Sequence, residues 1–397
     1  MDAESERMPF PPTDLAGLDV DPSLAQLRKD PGMCQAVLPY GKPTWLAVRH
    51  SDVRTVLADK RFSRAAAVGP DEPRILPFIQ KANLLIVTDA PEHNRLRQLL
   101  ASSFTVRGVE RLRPRVEQIV DGLIDDMQRT GPPADLMRSF ALPLAGLVIC
   151  ELLGVPEPER PRFLEMVDSF SVPALAELTG EQIMKIGHEL RGYLVGLVGR
   201  RHSEPGEDLL STLVRDTGLT DDELVAIAIT VLIAGHEATA DEIANFAYLL
   251  LTNPDQLRQL REQPDLMPSA VEEMLRYVPQ GVGTGLPRRA TEDVEVGGVL
   301  VRAGEFVLPV MTAANHDEAV FPDASRIDLT RPGNPHLSFG YGVHRCLGAA
   351  LARMELQIAV GSLLRRFAGL RLAVPAGEVT WCKGGLVRAP LTLMVAW

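Results

Sequence analysis

The chain has 397 residues, a formal net charge of −11, 46% hydrophobic and 23% charged side chains, which excludes a disordered chain and argues against a broad phosphate-binding surface for nucleic acid. No run approaches the roughly 20 uninterrupted apolar residues of a membrane-spanning helix, and the charged start MDAESERMPF lacks the apolar core of a secretory signal. Four dispersed cysteines (Cys34, Cys150, Cys346, Cys382) include no CxxC pair and indicate neither a disulfide framework nor a zinc site, so a cytoplasmic, unanchored protein is expected.

In chain order, a first helix is predicted from Pro91 to Phe104, with leucines at helical spacing. His93 and Arg97 stand at i, i+4 on it and can address one anion together, although the same pattern also fits a solvated face. A second helix is predicted over about Pro114 to Met127, its proline tolerated in the first turn, and an amphipathic one over Gly180 to Arg201. The longest, about Asp221 to Leu251, begins at a Thr220–Glu223 capping box and stops at Asn253-Pro254. As one rod it would span roughly 45 Å. It is apolar nearly all round, as a buried helix is, yet Gly235, His236, Glu237 and Thr239 interrupt it. Polar groups in such a helix are costly unless partnered or functional, and a helical glycine costs about 1 kcal/mol relative to alanine.

Glu273 and Arg276 follow at i, i+3 on one helix face. Read alone they are an ordinary ion pair. Val294 to Val301 alternates around Gly297-Gly298 as a tight hairpin, and Phe306 to Val310 is a further strand. Helix dominates throughout. The expected fold class is mainly α with a small β portion, and the absence of a convincing linker makes residues 1–397 one domain.

The segment His336 to Gly348, HLSFGYGVHRCLG, carries the most chemistry. Gly340, Gly342 and Gly348 bracket Cys346 within nine residues and permit turns and close backbone approach. A helix-period run follows directly, which places Cys346 at a helix N-terminus where unpaired N–H groups favour a thiolate. His344 and Arg345 flank it. For a lone cysteine the ordinary reading is a buried structural thiol, and that is the reading for Cys34, Cys150 and Cys382. The glycine loop reverses it for Cys346. A thiolate so placed suits the axial position of haem iron, where it favours O–O cleavage.

At this point the sequence resembles the cytochrome P-450 family, in particular its soluble bacterial members. The pattern Phe-Gly-x-Gly-x-His-x-Cys-x-Gly is met by Phe339, Gly340, Gly342, His344, Cys346 and Gly348, and the likeness extends over nearly the whole chain. The resemblance implies haem b (iron protoporphyrin IX) with Cys346 as the metal ligand. It implies that His93, Arg97, Arg288 and His344 bind the haem propionates, Arg289 competing with Arg288. It makes Glu273 and Arg276, completed by Arg326 in FPDASRID, a brace for the cysteine loop. The long central helix would cross the distal haem face, where an acid followed by a threonine normally supplies the protons that oxygen cleavage consumes. Glu237 fills the acid position, but Ala238 stands where the threonine is expected. Thr239, one residue on, is turned by about 100°. Ordered water or a substrate hydroxyl is therefore expected to act in its place.

The implied activity is monooxygenation of an apolar small molecule, by hydroxylation or epoxidation. Electrons are expected from a ferredoxin and an NAD(P)H-dependent ferredoxin reductase, with Arg345 and Arg353 as candidate docking groups. Substrate-contacting regions fall at Arg64–Ile86, Phe170–Ile186, Gly281–Leu286 and Gly384–Val387, rich in small and aliphatic residues. They resemble those of macrolide- and polyketide-tailoring enzymes of antibiotic biosynthesis. A steroid or terpenoid hydroxylase, a peroxide-driven variant, a haem sensor without turnover and a cofactor-free helical interaction protein are the competing readings.

Overall fold

The computed structural model describes residues 8–11, 15, 17–75, 85–101, 103–169, 178–216, 218–279, 286–382 and 388–397. The predicted helices form as Glu92–Ala101, Arg113–Thr130 and Gly180–Ser203, and the run after the cysteine loop forms Ala349–Arg366. Pro114 sits in the first turn of its helix, where a missing N–H goes unneeded.

The long helix is not one rod. It consists of Asp221–Gly235 and Glu237–Thr252, with His236 between them at φ −85°, ψ −77°. The capping box is present: Thr220 N–H donates to Glu223 Oε2 (2.8 Å) and Glu223 N–H donates to Thr220 Oγ1 (3.3 Å). Asn253 ends the second half. Hydrogen bonds span the break, His236 N–H to Leu232 O and Ala240 N–H to His236 O, both 3.2 Å. Among the described residues, Asp221–Thr252 is the one span long and apolar enough to cross a membrane. Here it packs against helices Leu142–Leu153, Gly180–Ser203 and Ala349–Arg366. A Cβ on Gly235 would lie 2.6 Å from Ile149 Cδ1, so the end of that side chain would have to move to admit one.

The β portion is a six-stranded mixed sheet in the order Met8–Pro9, Cys34–Val37, Thr44–Ala47, Phe306–Pro309, Arg288–Ala290, Phe62–Ser63. A three-stranded sheet joins Arg371–Leu372, Met394–Ala396 and Ala134–Asp135. Val294–Val296 and Val299–Val301 pair as the predicted hairpin. Gly297 (φ 57°) and Gly298 (φ 78°) occupy its turn, where both central residues need positive φ. The main apolar core runs from Leu96 to Val395 across the helices, and a smaller one under the sheet includes Val53, Phe62, Val307 and Leu337. The sheet thus delivers Arg288 and Arg64 to the same side as the cysteine loop.

Candidate functional site: a cysteine loop and a buried basic cluster

The loop is held by its own backbone and by two helices. Cys346 N–H donates to Phe339 O (2.7 Å) and Gly340 N–H to Leu337 O (2.7 Å). Gly340 and Gly342 have φ of 68° and 70°, a region L side chains resist. A Cβ on Gly342 would also lie 2.5 Å from Leu57 O. The loop's entry is tied down by Asn315, whose Oδ1 accepts from Leu337 N–H (2.7 Å) and whose Nδ2 donates to Ser338 Oγ (2.8 Å). Ser338 in turn donates to Leu275 O (2.6 Å).

Glu273 and Arg276, both fully buried, form a bidentate pair at 2.8 Å. Arg276 Nη1 also donates to Asn315 O and Ala324 O (2.9 Å each). The expected third member, Arg326, is not there. Its side chain is exposed and only its carbonyl takes part, accepting from Arg276 Nη2 at 3.2 Å. Arg331 takes the place instead, its Nε 3.1 and 3.0 Å from the two oxygens of Glu273. The reason is geometric: the turn at Asp323–Arg326 presents backbone to the buried pair, while the chain returns at Arg331 with its side chain inward.

A second carboxylate bridge was not anticipated. Glu272 accepts from Arg353 Nε (2.6 Å) and Nη2 (2.8 Å) and contacts His336 Nε2 (3.1 Å). Arg353, expected as a docking group, is thus committed inward and lies over the Phe339 ring (4.5 Å). Arg345 remains exposed, its carbonyl accepting from Arg97 Nη2 (2.6 Å).

The basic residues converge as expected. His93 and His344 have ring centroids 4.2 Å apart, and Arg288 is 2% exposed. Arg289 points to the other face of the strand, over the Phe306 ring (5.7 Å), away from the cluster that Arg288 joins. Arg64, within a region assigned to substrate, joins the cluster. Arg64 Nε and Arg288 Nε and Nη2 are buried without a hydrogen-bond partner. Burial first, then the neighbouring Arg288, pulls Arg64 down to about 9; burial pulls Arg288 down to about 10. Burial likewise lowers His93, and takes His344 down to about 4. One acid stands among them. Burial alone would raise Asp89, but bonds from His344, Ser63 and the N–H groups of Arg64 and Ala65 outweigh it and hold the carboxyl far below its usual range.

Cys346 combines two properties. Its side chain is open to solvent-sized contact, yet the protein around it is dense enough for burial to push the thiol up, against Gly348 N–H, Arg97, Arg345 and Arg353. A thiol lining a hollow inside the molecule satisfies both. The Gly348 N–H at the N-cap of helix Ala349–Arg366 favours the thiolate as expected, although burial outweighs it. Cys346 would be the residue to hold iron, and a metal-coordinating thiol is deprotonated outright. An unpaired buried cation cluster beside an enclosed, open thiol fits a dianionic haem. Burial raises Cys150, Cys34 and Cys382 as well, Cys150 to about 12, but unlike Cys346 their side chains are buried or half-buried.

On the distal side, Glu237 is half-buried, Ala238 exposed and Thr239 buried. Thr239, the hydroxyl nearest in sequence to the empty alcohol position and so a candidate for the catalytic set beside Glu237 and Ala238, is therefore turned into the core and does not share the open side of Ala238. The residues 76–84, 170–177, 280–285 and 383–387, most of the expected substrate regions, lie outside the described residues.

A family profile described as Cytochrome P450 matches residues 182–376. Nocardicin C N-oxygenase from Nocardia uniformis subsp. tsuyamanensis is 49% identical over 392 residues, 98% of each chain. Mycinamicin IV hydroxylase/epoxidase from Micromonospora griseorubida is 46% identical over 399 residues, covering 100% of this chain and 99% of its own. The crystal structure of the mixed-function P450 MycG superposes with a TM-score of 0.95 at 46% identity, over 99% of this chain and 100% of that one. With the thiol loop, the basic cluster and full-length identity in agreement, the chain belongs to the cytochrome P450 family and is a haem b-dependent monooxygenase.

Proposed function

We propose that this P450 oxygenates a wide, apolar macrolide or related polyketide in antibiotic biosynthesis, as one haem domain working unanchored in the cytoplasm. The observation that carries the substrate class is the state of three elements around the open side of the distal helix. Ile86, Met184 and Ile233 are 42%, 63% and 57% exposed, and their elements pack on one another through helix Asp221–Gly235. Large uncovered aliphatics on neighbouring elements favour an apolar ligand. The mycinamicin enzyme supports the same class by identity over its full length.

In this reading Cys346 holds the iron, and His93, Arg97, Arg288, His344 and Arg64 hold the propionates. Bound haem supplies dioxygen activation. Glu237 holds a proton at the first position of the second distal helix, and Ala238, lacking a hydroxyl, leaves the next transfer to water or to a hydroxyl of the substrate. Electrons come from a ferredoxin and its NAD(P)H-dependent reductase, with exposed Arg345 as a docking group. A second reading, oxygenation at nitrogen, is favoured by the 49% identity to the nocardicin C enzyme.

A ligand screen on the ferric holoenzyme separates the two. Mycinamicin IV and related macrolides are expected to convert the haem from low to high spin at micromolar concentration, nocardicin C not. A spin shift with nocardicin C and none with any macrolide would overturn the substrate class.

A further inference from the structure

Helix Glu237–Thr252 is apolar on most of its surface but carries Glu237, Asp241 and Asn245 at i, i+4 and i+8, one above the other on a single face. This face is covered by the C-terminal segment. Asn245 Nδ2 donates to Arg388 O (2.8 Å), and the Cys382 thiol is raised by burial and by the charges of Asp241 and Glu237. Asp241 is only 6% exposed, and none of the described residues gives it a cation or a hydrogen-bond donor. An ionised carboxylate in such a place is expensive, and a second carboxylate one turn away makes it more so.

We propose that Asp241 and Glu237 act as a carboxyl pair in which Asp241, kept protonated, hands its proton to Glu237 and is reprotonated from solvent, so that Asp241 is a positioning residue for proton supply to the distal site. Monooxygenation consumes one dioxygen, two electrons and two protons, and yields the oxygenated product and one water. The pair moves protons only; the electrons come from the reductive partner. The electrostatics agree: burial first, then Glu237, pushes the Asp241 carboxyl well above its usual range. Among the described groups the charge bearing on it is Glu237 on its own helix; from the C-terminal segment the Cys382 thiol lies near enough to feel both carboxylates, and the Arg388 guanidinium is engaged with Asp19 O. Glu355, the buried acid of the packed helix Ala349–Arg366, is raised by burial alone and is not coupled to the pair. The inference rests on family membership and not on the substrate class.

The test uses the holoenzyme without substrate. Infrared titration of the resting protein should show a protonated-carboxyl C=O band at neutral pH that is absent in Asp241→Asn and titrates at lower pH in Glu237→Gln. Driven by a plant-type ferredoxin and its reductase, the substrate-free enzyme reduces dioxygen to peroxide with one NADPH or to water with two, and Asp241→Asn should raise the peroxide released per NADPH towards its limit of one. Asp241→Glu should restore the wild-type ratio. Haem content and resting spectrum should not change. An infrared spectrum identical in wild type and Asp241→Asn, or an unchanged peroxide ratio, overturns the proposal. If Asp241→Asn fails to fold, an unshifted band in Glu237→Gln overturns it equally.

Discussion

Glu273 accepts from four residues at once: Arg276, Arg331, the Asp328 N–H (2.9 Å) and Asn334 Nδ2 (3.1 Å). A buried carboxylate is stable only when so fully satisfied. Arg331 is a working member of this group, while Arg326 lends only a carbonyl. Arg331→Ala should therefore destabilise the protein by about 1.5–3 kcal/mol, the range for hydrogen bonds to a charged group. Arg326→Ala should stay within about 0.5 kcal/mol of wild type, as exposed substitutions do. Urea unfolding of the two variants checks this, and equal losses would contradict the assignment. The spacing of Glu273 and Arg276 was legible in the sequence because helical periodicity places i and i+3 together. Their partner 55 or more residues downstream was not, because which arginine turns inward depends on the path of an irregular loop.

At the scale of elements, Glu272 ties helix Met267–Tyr277 to helix Ala349–Arg366 through Arg353, and to the cysteine loop through His336. Burial would raise this carboxyl, but the bonds from Arg353 and His336 outweigh it and bring it down from 4.5 to about 2. The unfolded chain therefore takes up this proton first as the pH falls. The stability the bridge contributes is complete above about pH 4.5 and is lost between about 4.5 and about 2. The stability difference between wild type and Glu272→Gln should accordingly shrink as pH falls through that window. Denaturant titrations at a series of pH values measure it, and a constant difference would refute the bridge. The distal helix teaches the same lesson at this scale. Its length, cap and stop were readable from pattern, whereas its interruption was not, because the ring of His236 finds its place from Leu142 and from Asp168 (3.5 Å) on other helices.

For the whole molecule, the cation cluster makes haem part of the folding balance. Arg64 and Arg288 lie buried without protein acceptors for several of their N–H groups, and in the reading proposed above the two propionates would relieve the repulsion between these cations. A ligand that binds only the folded state adds RT ln(1 + [L]/Kd) to stability. Haem-extracted protein should melt well below the holoenzyme. Arg64→Ala should lower the melting temperature of the holoprotein, but leave that of the haem-extracted protein unchanged or raised. Calorimetry on the four species decides; an equal loss in both forms would show that Arg64 acts only in packing.

Local order alone determined much of this protein. The thiol loop, the helix periods, the hairpin glycines and the missing hydroxyl at Ala238 are all written within a few residues of one another, where backbone sterics and side-chain period act. Only the tertiary structure decided that Arg331 replaces Arg326, that Arg64 and Asp89 join the basic cluster, that Arg353 faces inward, and that burial works against the Cys346 thiolate. Each of these depends on the dielectric and the neighbours that distant segments bring, and electrostatic energies of that kind have no period along a chain.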